Sequence, residues 1–247
     1  MSTGKSKIAL VTGATRRIGA AIARQLHERG FDLILHYRSS TDCAEQLAAE
    51  LNQCRAGSAQ IIMADFEKPA EVAAMADRVR SMTDRLDALV NNASAFEPSL
   101  VGSVDDDQWD KLMASNLRAP FFLSQAMQPM LTTARGCIVN LVDIHAERPL
   151  KDYTVYCMAK AGLLMMTRAL ARELGPDVRV NCVAPGSILW PEQDLDETAK
   201  QSILDRTALK RRGEPEDVAA AVAFLVLDAP YVTGEILTVD GGRSLNM

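Results

Sequence analysis

The sequence predicts an α/β fold: a doubly wound, seven-stranded parallel sheet with helices on both faces, in one domain spanning 1–247. Two observations carry that expectation. Short β-branched and leucine-rich runs alternate with longer helical patterns, the signature of repeated βαβ units. No Pro/Gly/Ser linker, composition shift or internal repeat divides the chain, and 247 residues with 48% apolar content can bury one large core.

Taken in order, KIALVT at 7–12 reads as the first strand, and the alanine-rich amphipathic run at 17–29 as the helix that returns from it. Strands follow at 32–37, 59–63, 86–90, 136–142, 178–184 and 235–239, separated by helices at 41–54, 69–82, 105–130, 153–174 and 215–227. Asp105, Asp106 and Asp107 open their helix where acidic charge suits the dipole. Lys210, Arg211 and Arg212 read as a solvated run before a glycine. The least regular stretch is Gly186 to Lys200, within a segment of about 186–205 that reads either as a surface excursion or as a substrate lid.

A net charge of −5 and a pI near 5.3 argue against a general nucleic-acid or anionic-membrane surface. No stretch approaches membrane-spanning length, and the apolar run Ile8 to Val11 is too short for a signal-peptide core. The five cysteines lack any Cys-x-x-Cys pair, and the three histidines lack ligand spacing, so the expectation is a cytoplasmic, reduced, metal-independent protein.

In a doubly wound sheet the ligand crevice opens at the strand C-termini, so residues just after strands are the informative ones. After the first strand stands Thr12-Gly13-Ala14-Thr15-Arg16-Arg17-Ile18-Gly19. A glycine turn feeding a helix N-terminus lets backbone amides approach a pyrophosphate, and Gly19 permits close packing of helix on sheet. Arg17 stands where glycine would minimise bulk, and its charge favours an anion.

The second strand ends in His36-Tyr37-Arg38-Ser39-Ser40, where an NAD-selecting chain would carry an acidic residue for the ribose hydroxyls. A guanidinium and two hydroxyls suit a 2′-phosphate instead, so the expected cofactor is NADPH. The serines could also simply cap the next helix. Asp65 is placed either to accept from the adenine amino group or to cap its own helix. Asn91-Asn92-Ala93-Ser94 forms a small-residue turn after the fourth strand.

After the fifth strand comes Asp143, and thirteen residues later Tyr156 and Lys160 share one helix face at i, i+4 spacing. A free phenol has a pKa of about 10. A cation about 4 Å away at an effective dielectric near 20 is worth roughly 4 kcal/mol. That leads to the expectation that Lys160 lowers the Tyr156 pKa and also holds the nicotinamide ribose.

With TGATRRIG, Asp65, NNAS, Ser115-Asn116, Asp143, Tyr156 with Lys160, Pro185-Gly186, Thr233-Gly234 and Val239-Asp240-Gly241-Gly242 in order, the chain resembles the short-chain dehydrogenase/reductase family over nearly its whole length. The resemblance implies a Rossmann-like fold and a catalytic set of Asn116, Asp143, Tyr156 and Lys160, with Asn116 helping to hold a proton-relay water. It implies that NADPH is bound by Gly13, Arg16, Arg17, Ile18, Gly19, His36, Tyr37, Arg38, Ser39, Ser40, Asp65, Phe66, Asn92, Ala93, Ser94, Tyr156, Lys160, Pro185, Gly186 and Ser187. It also implies a homotetramer assembled through the helices bearing Asn116 and Tyr156 and through the last strand.

Two departures narrow the substrate. Family members acting on ketones generally carry serine at the Asp143 position and glycine at the Arg17 position. Both exchanges occur in pteridine reductases, to which HYRSS, NASAF and VDIHAERPLKDYTVYCMAK are similar, and bacterial dihydromonapterin reductases share much of this pattern. The implied substrate is a pterin lined by Arg17, Ser94, Phe96, Asp143, Tyr156 and Trp190, with Phe96 stacking on its face. Reducing a pterin C=N bond needs a proton at the ring nitrogen, which Asp143 either donates or helps Tyr156 to donate. A carbonyl or 3-oxoacyl reductase of the same fold, and a catalytically silent NADPH-binding protein, are the competing expectations.

Overall fold

A computed structural model describes residues 6–189 and 196–246. All pairings in its seven-stranded sheet are parallel, and the strand order is β3-β2-β1-β4-β5-β6-β7. The strands are β1 (Lys7–Val11), β2 (Phe31–Tyr37), β3 (Ala59–Met63), β4 (Ala88–Asn91), β5 (Cys137–Leu141), β6 (Arg179–Pro185) and β7 (Ile236–Val239). The order reverses between β1 and β4, where a crevice opens beyond the strand ends.

Side-chain alternation along each strand assigns the two cores. In β1, Ala9 and Val11 face α1 (Arg17–Glu28), α2 (Thr41–Cys54) and α8 (Pro215–Ala223), whereas Leu10 faces α3 (Pro69–Met82) and α5 (Ala119–Ala134). A third cluster sets Leu163, Leu164 and Met166 of α6 (Thr154–Leu174) against Val142 and Ile144, anchoring the end of β5. Truncating a fully buried residue such as Leu10 or Leu123 costs about 2–5 kcal/mol.

The helix expected over 105–130 is interrupted. It forms as α4 (Asp106–Met113), a π turn (Ala114–Arg118) and α5, and the reason is local. Pro120 has no N–H to give the Asn116 carbonyl, and the Asn116 side chain donates Nδ2 to the Leu112 carbonyl at 2.9 Å. The last predicted helix likewise ends at Ala223 and closes as a π turn over Phe224–Asp228.

Within the stretch read as irregular, Glu197–Arg206 forms a helix, α7, capped by Asp196, whose side chain accepts from Ala199 N at 2.6 Å. It has no buried residue and therefore no apolar periodicity to betray it. No helix among the described residues is long and apolar enough to cross a membrane.

Candidate active site

The turn after β1 is fastened to the turn after β4. Thr12 Oγ1 accepts from Asn92 N at 2.9 Å and from Ala93 N at 3.0 Å, while Asn92 Nδ2 donates to the Thr12 and Gly13 carbonyls at 2.9 and 3.0 Å. Gly13 has φ +60°, and a Cβ there would lie 3.0 Å from Ala93 Cα. At Gly19 a Cβ would stand 2.0 Å from the Gly13 carbonyl oxygen, so the helix can approach the turn only without a side chain. This is a cradle of the kind a pyrophosphate occupies. Arg16 and Arg17 open α1 with exposed side chains, and Ile18 packs partly into the core. Arg17 has φ 51°, a left-handed conformation that favours glycine.

His36 is engaged by the backbone of the glycine turn. Its ring is 2% exposed, with Nδ1 accepting from Gly13 N at 3.1 Å and Nε2 donating to the Ala64 carbonyl at 3.0 Å. Phe66 is also buried and stacks on it at 4.2 Å. His36 thus holds the glycine turn directly, and Phe66 backs the His36 ring. Burial lowers the His36 pKa to about 4, so the ring is neutral. Tyr37 is buried as well, whereas Arg38 and Ser39 are exposed.

Ser40 occupies the N-cap of α2 without a side-chain capping bond, so its hydroxyl is not spent on the helix. Arg38 Nη1 meets Glu67 Oε1 at 2.7 Å, with the arginine side chain 55% exposed. An exposed pair of this kind contributes about 0–1 kcal/mol, which a doubly charged phosphate readily displaces. Asp65 caps its own turn, its Oδ1 accepting from Glu67 N at 3.1 Å.

At the end of β5, Asp143 caps a short 3₁₀ turn (Ile144–Ala146), with Oδ1 accepting from His145 N at 2.8 Å. Its other oxygen, Oδ2, accepts from Tyr156 Oη at 2.8 Å. Lys160, 2% exposed, donates Nζ to the Leu141 carbonyl at 2.8 Å. The surroundings of Tyr156 act against the expected acidification by Lys160. Burial, then the charge and hydrogen bond of Asp143, push the phenol well above its ordinary value, so Tyr156 stays protonated and donates. Lys160 is instead lowered to about 8 by burial, with Asp143 opposing.

Asn116 lies in the π turn, accepting from Ser94 Oγ at 2.7 Å and donating to the Ala95 and Leu112 carbonyls at 2.9 Å. These bonds fix the Ser94 segment beside the tyrosine. Phe96, 52% exposed, stacks on Tyr153 at 4.4 Å and meets Tyr156 edge-on at 4.9 Å. Beyond β6, Gly186 passes Asp240 so closely that a Cβ would lie 2.6 Å from the Asp240 Cβ. The neighbouring Ser187 Oγ accepts from Arg243 Nη1 at 2.7 Å. Trp190 lies outside the described residues.

A family model described as enoyl-(acyl carrier protein) reductase matches residues 13–244. The chain belongs to the short-chain dehydrogenase/reductase family. Its curated relatives include a 3-oxoacyl-[acyl-carrier-protein] reductase of Staphylococcus epidermidis, 37% identical over 96% of this chain and 98% of its own. Pteridine reductase 1 of Leishmania tarentolae is 35% identical, covering 96% of each. A blue fluorescent protein from a metagenomic library, solved in complex with NADPH, superposes with a TM-score of 0.89 at 38% identity over 96% of this chain and 97% of its own.

Three further features of this short-chain dehydrogenase/reductase escape the sequence reading. Tyr153 backs Phe96, and Ser99, fully buried, accepts from Val155 N at 3.1 Å, tying the loop after β4 to the start of α6. Arg243 reaches Ser187. DYTVY offered a sign of the first, as two aromatics flanking a helix start; a lone serine and a lone arginine offered none.

Proposed function

We propose that the chain is an NADPH-dependent reductase that saturates the C=N bond of a dihydropterin or pterin, with Asn116, Asp143, Tyr156 and Lys160 as its working set. The observation that carries this reading is the Tyr156 Oη to Asp143 Oδ2 hydrogen bond of 2.8 Å. A carboxylate stands where ketone-reducing relatives carry a hydroxyl, giving the phenol a strong acceptor and the site a second group able to hold a proton.

The glycine cradle fits a dinucleotide pyrophosphate, and Arg38 with Ser39 and Ser40 fits a 2′-phosphate. NADPH supplies the hydride when bound. Lys160 holds the nicotinamide ribose. Tyr156 delivers its hydroxyl proton to the ring nitrogen beside the reduced carbon and, left as the phenolate, is reprotonated from solvent before the next turnover, while Asp143 orients the phenol. Phe96, with one face on Tyr153, offers its other surroundings to a flat heteroaromatic ring, an arrangement worth about 0.5–1.5 kcal/mol beyond area.

Reduction of a 3-oxoacyl thioester is the second reading. The 3-oxoacyl reductase relatives are the more identical to this chain, 37% against 35%, so the comparisons lean toward it while the aspartate leans toward the pterin. NADPH consumption with dihydrobiopterin, dihydromonapterin and dihydrofolate, set beside simple ketones and acetoacetyl thioesters, separates the two. The proposal expects pterin turnover that is lost in Asp143→Ala; turnover of the ketones or thioesters alone overturns it. A homotetramer is part of the proposal, supported by the exposed apolar side chains of Phe121 and Phe122 on α5 and Met158 and Met165 on α6.

A further inference from the structure

The ends of β5, β6 and β7 lie side by side in the sheet. Arg243 leaves the 3₁₀ turn after β7 (Arg243–Asn246) and its half-buried side chain reaches the end of β6, donating to Ser187 Oγ, with Asp143 at the end of the adjoining β5 near enough to act on its charge. Its acidic neighbours are already committed. Asp240 accepts from Gly242 N at 2.8 Å and Ser244 N at 2.7 Å, and Asp143 accepts from His145 N and Tyr156 Oη, each at 2.8 Å. Among the described residues no carboxylate is in ion-pair contact with Arg243.

A second basic residue lies close by, Arg206, whose Nη2 donates to Ser202 Oγ at 3.3 Å. Arg206 ends α7, and its carbonyl accepts from Asn246 Nδ2 at 3.1 Å, so the two basic residues are tied through the same C-terminal turn. Burial first, and then the Arg206 charge, lower the Arg243 pKa against the opposing pull of Asp143 and Asp240. A guanidinium has five N–H donors in a fork, and among the described residues the acceptor it meets is Ser187 Oγ. A half-desolvated cation whose fork is mostly unfilled is the partner a planar anion lacks.

We propose that Arg243, reinforced by Arg206, binds an anionic group on the substrate's tail, a carboxylate or phosphate, while the group to be reduced lies on Asp143 and Tyr156. This rests on the reductase reading but not on which bond is reduced, because a carboxylated dihydropterin and a phosphate-bearing acyl thioester share the same anion chemistry.

The test compares the parent chain with Arg243→Gln on two matched pairs: dihydrofolate against dihydrobiopterin, and acetoacetyl-coenzyme A against ethyl acetoacetate. In whichever pair is turned over, the variant should lose about tenfold or more in kcat/KM on the anionic member. The uncharged member should stay within about threefold, the NADPH KM should not move, and Arg243→Lys should restore part of the loss. An equal fall on both members overturns the proposal, as does a raised NADPH KM with the anion preference intact. Turnover of the acyl pair alone refutes the pterin reading and leaves the anion claim to be decided on that pair. Turnover of neither pair overturns both.

Discussion

At the ends of β1, β2 and β4 three polar side chains that shape the glycine turn are held by backbone: Thr12 by Asn92 and Ala93, Asn92 by Thr12 and Gly13, His36 by Gly13 and Ala64. At the ends of β5, β6 and β7 polar side chains meet one another, Tyr156 on Asp143 and Arg243 on Ser187, and Phe96 stands 52% exposed. The first arrangement is a rigid frame whose shape suits one invariant ligand. The second can change its chemistry by single substitutions without disturbing the frame, which is how one fold hosts ketone and pterin reductases.

If that division holds, changes at the β5 side alter turnover and changes at the β1 side alter cofactor binding or stability. Tyr156→Phe should break the comparison most visibly, lowering kcat by about 10²–10⁴ while changing the NADPH Kd, read by fluorescence titration, by far less.

Next comes His36. Its folded pKa of about 4 lies below the ordinary 6.5, so the unfolded chain takes up protons first as pH falls. Stability should therefore decline between those values, by up to about 3 kcal/mol. Urea denaturation of parent and His36→Gln across that range should show the extra slope only in the parent.

Asp143→Ser should cost about 100-fold in kcat/KM on dihydropterin and improve the ratio of ketone to pterin turnover. A fall on both substrates alike would mean that Asp143 serves the fold rather than the choice of substrate.

Smaller effects sharpen the boundary. Arg38→Ala should raise the NADPH Kd about tenfold and leave NADH binding within about twofold, since only the 2′-phosphate is lost as a partner. Phe96→Ala should raise the dihydropterin KM about fivefold with little change in kcat, as expected for a contact equal in ground and transition states.

The sheet was legible because its strands are continuous apolar runs and its turns carry glycine or amide residues at fixed places. Helix α7 was not, because it buries nothing and only its Asp196 cap distinguishes it from a loop. The π turn hid inside a continuous helical pattern; its cause, Asn116 bonding back to Leu112 with Pro120 beyond, is a matter of side-chain direction that spacing does not express.

In the site, Tyr156, Lys160 and Asp143 were legible through the family resemblance that the ordered motifs carry, since Tyr-x-x-x-Lys spacing alone is common on helix surfaces, but the sign of the Tyr156 pKa was not. Proximity in sequence made Lys160 the obvious influence; in three dimensions burial and the Asp143 carboxylate dominate the phenol. His36 was named for the turn it does touch, but its bonds to the Gly13 N–H and the Ala64 carbonyl are a matter of side-chain direction that a sequence does not express.

The central claim is that the Asp143 and Tyr156 pair serves protonation at a ring nitrogen. Internal competition tests it most directly: dihydrobiopterin and an acetoacetyl thioester mixed at equal concentration with limiting NADPH, and the products separated by chromatography. Tetrahydropterin as the dominant product is the predicted result. Hydroxyacyl thioester in its place, with the dihydropterin untouched, would contradict the account.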